Sequence, residues 1–197
     1  MLAWPASGPV VTAQLVTDLN AMVGVWQDHL EAFAPDGTAL AHDEHGGAPG
    51  PMPYDNLVYI DFDGTNYHQS NVVLSGRDPH VRSFSATVSD GVLTFAKLGP
   101  DAPTHVGVSG GPGIIWFLAR DIGEGWQHYS EPDIITLTGD RRTRHTALWR
   151  DGRLARTLAV TGVRRSIDPT VRVADDPRGP DGPVHDTPHA TQVWEDT

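Results

Sequence analysis

The side chains in this sequence that could move a proton or hold a ligand fall into four groups. The run Thr143 to Trp149 alternates in polarity, which places His145 on one face with Ala147 and Trp149 and leaves Arg142, Arg144 and Arg150 for the other, solvent face. An imidazole among apolar neighbours is a candidate general acid or base, because its pKa lies near neutrality. The run Asn66-Tyr67-His68-Gln69-Ser70-Asn71 is polar on both faces. Either Tyr67, Gln69 and Asn71 form a hydrogen-bonding ladder, or His68 and Ser70 do; the pattern leaves the inward face open. Trp126, His128 and Tyr129, near Glu131, make a third aromatic and polar group. The fourth is His42-Asp43-Glu44-His45, whose imidazoles and carboxylates suit a divalent ion. Its spacing matches neither the metalloprotease helix motif nor the inverted form, and a Gly/Pro-rich loop is a poor rigid frame. No metal site is assigned.

Two further motifs resemble catalytic signatures and fail on their surroundings. Val58-Tyr59-Ile60-Asp61-Phe62-Asp63-Gly64-Thr65 resembles the nucleophile loop of haloacid-dehalogenase-type phosphatases, with Ser75, Lys97 and Asp175-Asp176 imitating the later motifs. That fold joins its first two strands in parallel, through a crossover of about a dozen residues or more. Only a few residues separate Thr65 from the next strand, so Asp63-Gly64 reads as a hairpin turn. Gly107-Val108-Ser109-Gly110-Gly111 has the spacing of a serine nucleophile elbow, and Asp133 and His145 follow in triad order. An elbow needs a helix after it. Pro112-Gly113 and the strand-like Ile114 to Ala119 follow instead, so the stretch reads as a glycine-rich connection.

The elements that must position these groups are mostly strands. Asp-Gly between apolar runs is a strong hairpin signal. It recurs at Asp63-Gly64, Asp90-Gly91 and Asp151-Gly152, and Pro35-Asp36-Gly37 marks another turn. Strands are expected at Trp26 to Phe33, Leu57 to Phe62, Tyr67 to Leu74, Val81 to Val88, Val92 to Leu98, Ile114 to Ala119, Trp126 to Tyr129, Ile134 to Thr138, Thr143 to Trp149 and Leu154 to Val163. Their regular spacing predicts an all-β, antiparallel up-and-down barrel of about eight to ten strands. One short helix precedes them: Leu15, Leu19 and Met22 repeat every three or four residues, with Val11 a turn earlier, Thr12 as cap and Gly24 as stop. The division expected is 1–23 for the helical segment, 24–166 for the barrel and 167–197 for a flexible, acidic, Pro/Gly-rich tail. His42 to Pro53 reads as a loop that could cover a barrel mouth.

Composition narrows the function. Asp and Glu number 25 against 14 Lys and Arg, for a formal charge of -11. Such a surface repels phosphate backbones, so nucleic acid and anionic membranes are not expected partners. There is no cysteine, which excludes disulfides, thiolate metal sites and cysteine nucleophiles. The sequence Met1 to Val11 lacks the charged and apolar regions of a signal peptide, and no apolar run reaches membrane-spanning length; a cytoplasmic location is the expectation.

Gly24-Val25-Trp26 opens the first strand just after the short helix, and Val163-Arg164-Arg165 closes the last. This pairing resembles the calycin superfamily of lipocalins and fatty-acid-binding proteins, over roughly residues 10–165. The closing hairpin also resembles that of uncharacterised bacterial lipocalin-like barrels. The resemblance implies that Trp26 seals the closed end of the barrel, with Arg164 or Arg165 stacked on its indole as a structural plug. It also implies an interior holding an apolar small molecule. Tyr59, Phe84, Phe95, Trp116, Trp126 and Trp149 would supply apolar wall, with Gln69, Asn71 and His128 as polar contacts. Two readings follow. One is a cofactor-independent isomerase or cyclase of specialised metabolism, with His145, Tyr67 and Glu131 handling protons. The other is a non-catalytic carrier or sensor of a lipid, terpenoid or pigment. No cofactor is called for, and homodimerisation stays open.

Overall fold

The computed structural model describes residues 9–43, 50–74, 80–97, 104–119 and 131–185. Helix α1 (Pro9–Met22) leads into β1 (Gly24–Phe33), β2 (His42–Asp43), β3 (Gly50–Pro51), β4 (Tyr54–Phe62), β5 (Asn66–Val73) and β6 (His80–Ser89). Then come β7 (Val92–Phe95), β8 (His105–Gly111), β9 (Ile114–Ala119), β10 (Asp133–Thr138), β11 (Arg141–Arg150) and β12 (Arg153–Ser166). All but β2 and β3, which pair with each other, form one closed ten-strand barrel. Each strand from β4 to β12 pairs antiparallel with the next, and β1 closes the circle between β12 and β4. The protein is therefore an all-β, lipocalin-like, up-and-down barrel with one short helix. No helix among the described residues is long and apolar enough to cross a membrane.

The turns follow from local chemistry. Asp90 and Asp151 sit at φ 51° and 50°, each followed by a positive-φ glycine, the backbone of a two-residue hairpin turn. Two expectations are corrected. The glycine-rich connection is strand β8: Gly107 points inward, where an added Cβ would lie 2.8 Å from the Phe117 ring. The glycines are there to let the wall approach an aromatic. Helix α1 begins at Pro9, so Thr12 lies inside it rather than capping it; proline suits the first turn, where its missing N–H costs nothing. The expected strand Trp126 to Tyr129 lies outside the described residues.

Helix α1 closes one end of the barrel. Leu15, Leu19 and Met22 are fully buried against Trp26, Val58, Ile60, Tyr67, Leu93 and Ile115. Asp18 accepts the Gly113 N–H at 3.0 Å, tying the helix to the β8–β9 turn. Gly24 leaves the helix at φ 128°, and an added Cβ would lie 2.3 Å from the Ser166 carbonyl oxygen, so no other residue fits there. A bulge between Val25 and Trp26 then sets Trp26 opposite Arg164.

The segment 167–185 has neither helix nor strand, yet it covers the outer face of β1, β4 and β5. Val184 packs on Val25, Leu57, Tyr59 and Val72, all on outward positions. Two arginines hold its shape. Arg172 donates to the carbonyls of Arg178, Gly179, Asp181 and Pro183 at 2.6–3.1 Å. Arg178 pairs with Asp176 at 2.8 Å, donates to the Val184 carbonyl at 3.0 Å and lies over the Tyr59 ring. Composition alone suggests a loose tail; the guanidinium donors satisfy backbone carbonyls that no sheet partner reaches.

Candidate functional site

At the end of the barrel beside helix α1, Trp26 and Arg164 pack together. The Arg164 guanidinium lies 4.5 Å from the Trp26 ring centroid and donates to the carbonyls of Val23 and Ala21 at 2.7 and 2.6 Å. It thus stacks on the indole and satisfies carbonyls at the helix C-terminus together. The Trp26 Nε1 donates to the Met22 carbonyl at 2.8 Å. Arg165 points the other way: it pairs with Asp175 at 3.1 Å and donates to Gln27 on the outer surface.

Above this floor lies a cavity of about 140 Å³. Met22, Phe84, Phe95, Phe117 and Ile135 form its apolar side. Phe95 and Phe117 meet edge-to-face at 5.2 Å, and Tyr67 packs edge-on against Phe95 at 6.1 Å. The other side is polar: Gln69, Arg82, His105, Glu131, Asp133, Arg142 and Arg144.

The polar ladder of β5 is Tyr67, Gln69 and Asn71. The Tyr67 hydroxyl donates to Gln69 Oε1 at 2.5 Å, and Gln69 Nε2 donates to Asn71 Oδ1 at 2.8 Å. Their inward direction follows from register, since Tyr67 and Gln69 stand opposite Ala86 and Phe84. His68 and Ser70 face outward; Ser70 meets Ser83 and His185 at 2.9 Å each. Burial pushes the Tyr67 hydroxyl well above its ordinary pKa, so it is a fixed donor and not a base.

Strand β11 is turned over relative to the sequence expectation. Arg142, Arg144, Thr146 and Leu148 face the interior, while His145 is exposed outside, between Ile134 and Ala159 of the neighbouring strands. Carboxylates inside the barrel are the physical reason. Asp28 on β1 is 2% exposed and takes a bidentate pair from Arg142, Nε to Oδ1 at 3.0 Å and Nη2 to Oδ2 at 2.6 Å. Gly162 of β12 lies between them, and an added Cβ would come within 2.4 Å of Asp28 Oδ1. Arg144 Nε lies 3.0 Å from Asp133 Oδ1 and 3.2 Å from Thr146 Oγ1, and Thr146 in turn donates to Asp133.

Electrostatics differ between these carboxyls and their partners. Burial, the largest influence, raises the Asp133 pKa, and the charge of Glu131 adds to this; Arg144 and the Thr146 hydroxyl pull the other way. For Arg144, burial opposes the charge, but Asp133 and Glu131 outweigh it and the guanidinium stays firmly protonated.

Among the other expected site residues, Phe84, Phe95, Gln69 and Glu131 line the cavity. Three do not. Tyr59 faces outward, fully buried under residues 173–184, with its hydroxyl donated to Asp176 at 2.7 Å. Trp116 is 45% exposed on the outer face, and Trp149 is 38% exposed at the end of β11. Phe33, Trp116, Ile134, His145 and Ala147 instead line a shallow groove outside the barrel. Trp126 and His128 lie outside the described residues, as do Glu44, His45 and Trp194. Sequence reading missed Arg82, His105, Asp133, Arg142 and Arg144. The available signal was that Asp28 and Asp133 sit at apolar-phase positions of their strands, which demands buried cations nearby.

No protein-family model matches the chain, and no curated protein matches it. Solved structures do resemble it. A protein of unknown function from the DUF3598 family of Nostoc punctiforme superposes with a TM-score of 0.56 at 17% identity, covering 74% of this chain and 48% of that one. The chain thus spans about half the length of that protein. An S-type phycobiliprotein lyase from Guillardia theta superposes with a TM-score of 0.54 at 9% identity, covering 77% and 92% of the two chains. At these identities the likeness is one of fold.

Proposed function

We propose that this chain is a calycin-type barrel that binds a small molecule with an apolar ring or chain in its interior. One observation carries the reading: a helix-capped barrel holds a partly open cavity with an aromatic and aliphatic side and a facing polar side. A fully packed core would fill that space, because interiors rarely leave voids larger than water. An apolar hollow of about 150 Å³ holds one benzene ring, so the cavity as it stands takes one ring or an equivalent chain.

A second reading, a cofactor-independent isomerase or cyclase, is supported by Asp133. A buried carboxyl with a raised pKa, on the wall of a cavity, is a group able to hold a proton near a ligand. In this reading Asp133, with Glu131 beside it, replaces the exposed His145 as the proton-handling group. Without turnover, the same cavity would serve a carrier or sensor of a ligand of that size, or of one end of a lipid, terpenoid or pigment. One solved barrel of this shape is a phycobiliprotein lyase; the ligand here is argued from the cavity and not from that likeness.

The test is a thermal-shift titration with one-ring compounds, phenylacetate and 2-phenylethanol. At least one of them raises Tm of the wild type, and Phe84→Trp, which fills the cavity, loses the response while staying folded by circular dichroism. No response from either compound refutes the binding reading.

A further inference from the structure

Resting on that reading, we infer that the ligand is an organic acid whose carboxylate takes the place of Asp133 as counter-ion to Arg144, so that one proton is taken up as it binds. The argument begins with the three arginines on the cavity wall: Arg82, Arg142 and Arg144. Arg142 is committed. Its bidentate pair with Asp28 uses both carboxylate oxygens in a side-by-side fork, and Gly162 makes the room for it. Arg144 is held differently. Its shortest approach to Asp133 is through Nε, and that same nitrogen donates its hydrogen bond to the Thr146 hydroxyl. A guanidinium carries five donors and satisfies a carboxylate best with two of them. The Asp133 contact therefore leaves room on the same cation for a second, better-matched carboxylate.

Asp133 is the partner suited to yield. It is buried, Glu131 adds a second negative charge beside it, and Thr146 can hold the neutral acid as well as the anion. An incoming carboxylate would put a third negative charge beside Arg144, after those of Asp133 and Glu131. The balanced outcome is that Asp133 gains a proton from solvent, Arg144 pairs with the ligand carboxylate, and the net charge of wall and bound ligand together equals that of the empty wall. No covalent bond forms or breaks. The groups facing Asp133 and Arg144 are Glu131 on the approach to β10, Asp28 on β1, Arg142 on β11, Arg82 on β6 and His105 on β8. His105 and Glu131 are the other titratable groups on this wall, and the experiment separates them from Asp133. The apolar side fixes the rest of the ligand as a single ring or a short chain attached to the acid.

The experiment is isothermal titration of the full chain with phenylacetate and with its neutral counterpart 2-phenylethanol, in two buffers of different ionisation enthalpy. Phenylacetate is expected to bind at least tenfold more tightly and to take up close to one proton, with Kd weakening up to about tenfold per pH unit as pH rises. 2-Phenylethanol is expected to bind with no proton uptake. In Asp133→Asn, phenylacetate still binds and the uptake disappears. Equal affinity for the two compounds overturns the acid assignment. Binding of the acid without uptake in the wild type, or persistent uptake in Asp133→Asn, overturns the exchange at Asp133. Failure of both compounds to bind overturns the underlying binding reading instead.

Discussion

Gly162→Ala perturbs the interior at one defined point. The new methyl would sit 2.4 Å from Asp28 Oδ1 and 2.7 Å from Arg142 Cγ, inside the buried ion pair. Backbone strain is not involved, since Gly162 is absent from the positive-φ glycines. Something in the pair must move. Overpacking a core costs about 1–3 kcal/mol and breaking a buried ion pair about 3–5 kcal/mol. Replacing glycine returns about 0.4–1 kcal/mol through the unfolded chain. A net loss of about 3 kcal/mol is expected, which for a domain of this size lowers Tm by about 6–12 °C. The assay is thermal unfolding by far-UV circular dichroism at pH 7. A companion measurement identifies the cause: in an Asp28→Ala/Arg142→Ala background both crowding atoms, Asp28 Oδ1 and Arg142 Cγ, are gone, and Gly162→Ala should add a cost under about 1 kcal/mol. Equal cost of Gly162→Ala in both backgrounds would refute the argument, as would a change within about 0.5 kcal/mol in the wild type.

Arg164→Met removes one of the two guanidiniums over Trp26, leaving Arg142, and the donors to the Ala21 and Val23 carbonyls; stability should fall by about 1–3 kcal/mol, read in denaturant melts, with a change in Trp26 emission. Gln69→Leu strands the buried Tyr67 hydroxyl and the Asn71 amide and should cost about 1–3 kcal/mol, whereas Asn71→Leu, which ends the ladder, should cost less. The contacts of residues 167–185 have a pH window with two edges. Burial works against the Asp176 charge, but bonds from Arg178 and Tyr59 lower its pKa, so its contribution holds above the ordinary aspartate range and fades as pH falls through the lowered value. Burial and the bond to Asp176 push Tyr59 up to about 12, so its contribution is complete below the ordinary tyrosine range and is lost as pH rises through that value. Limited proteolysis should cut residues 167–185 fastest at the two extremes, and Tyr59→Phe should raise the neutral-pH rate; a rate unchanged from pH 3 to 7 would contradict the first edge.

Much of the barrel could be read from punctuation. Asp-Gly pairs located three hairpins, and Gly24 with Trp26 and Arg164 located the closed end, because each feature has a local physical cause. The wall facing the ligand was less legible, for reasons that differ by residue. Alternation gives two faces but not which is inside, and β11 was assigned by treating arginine as a solvent residue. Arg142 and Arg144 are inside because Asp28, on β1 far away in sequence, and Asp133, on the neighbouring β10, neutralise them. Tyr59 belongs to a strand buried on both faces, since Val173 and Val184 cover the outer one. Such a strand loses its alternation, and an outward tyrosine reads as core. Strand β8 was hidden by its glycines, whose role is to admit the Phe117 ring.

These misreadings share a cause that bears on function. Each arose where a residue's placement depends on a partner brought to it by the fold and not on its neighbours along its own strand. The same dependence makes the interior specific. An apolar wall alone would accept any ligand of the right volume, whereas on the proposed reading Arg144 and Asp133 would rank ligands by charge, because an unmatched charge inside a barrel is costly. His145, the residue that local pattern favours, lies in an outside groove and can distinguish nothing within. On that proposal, discrimination rests on the β10–β11 pairing that sets Asp133 opposite Thr146 and Ile135 opposite Arg144. A slip of one residue in that register would turn both charges outward and leave a cavity with its aromatic side intact and no means of telling an acid from an alcohol.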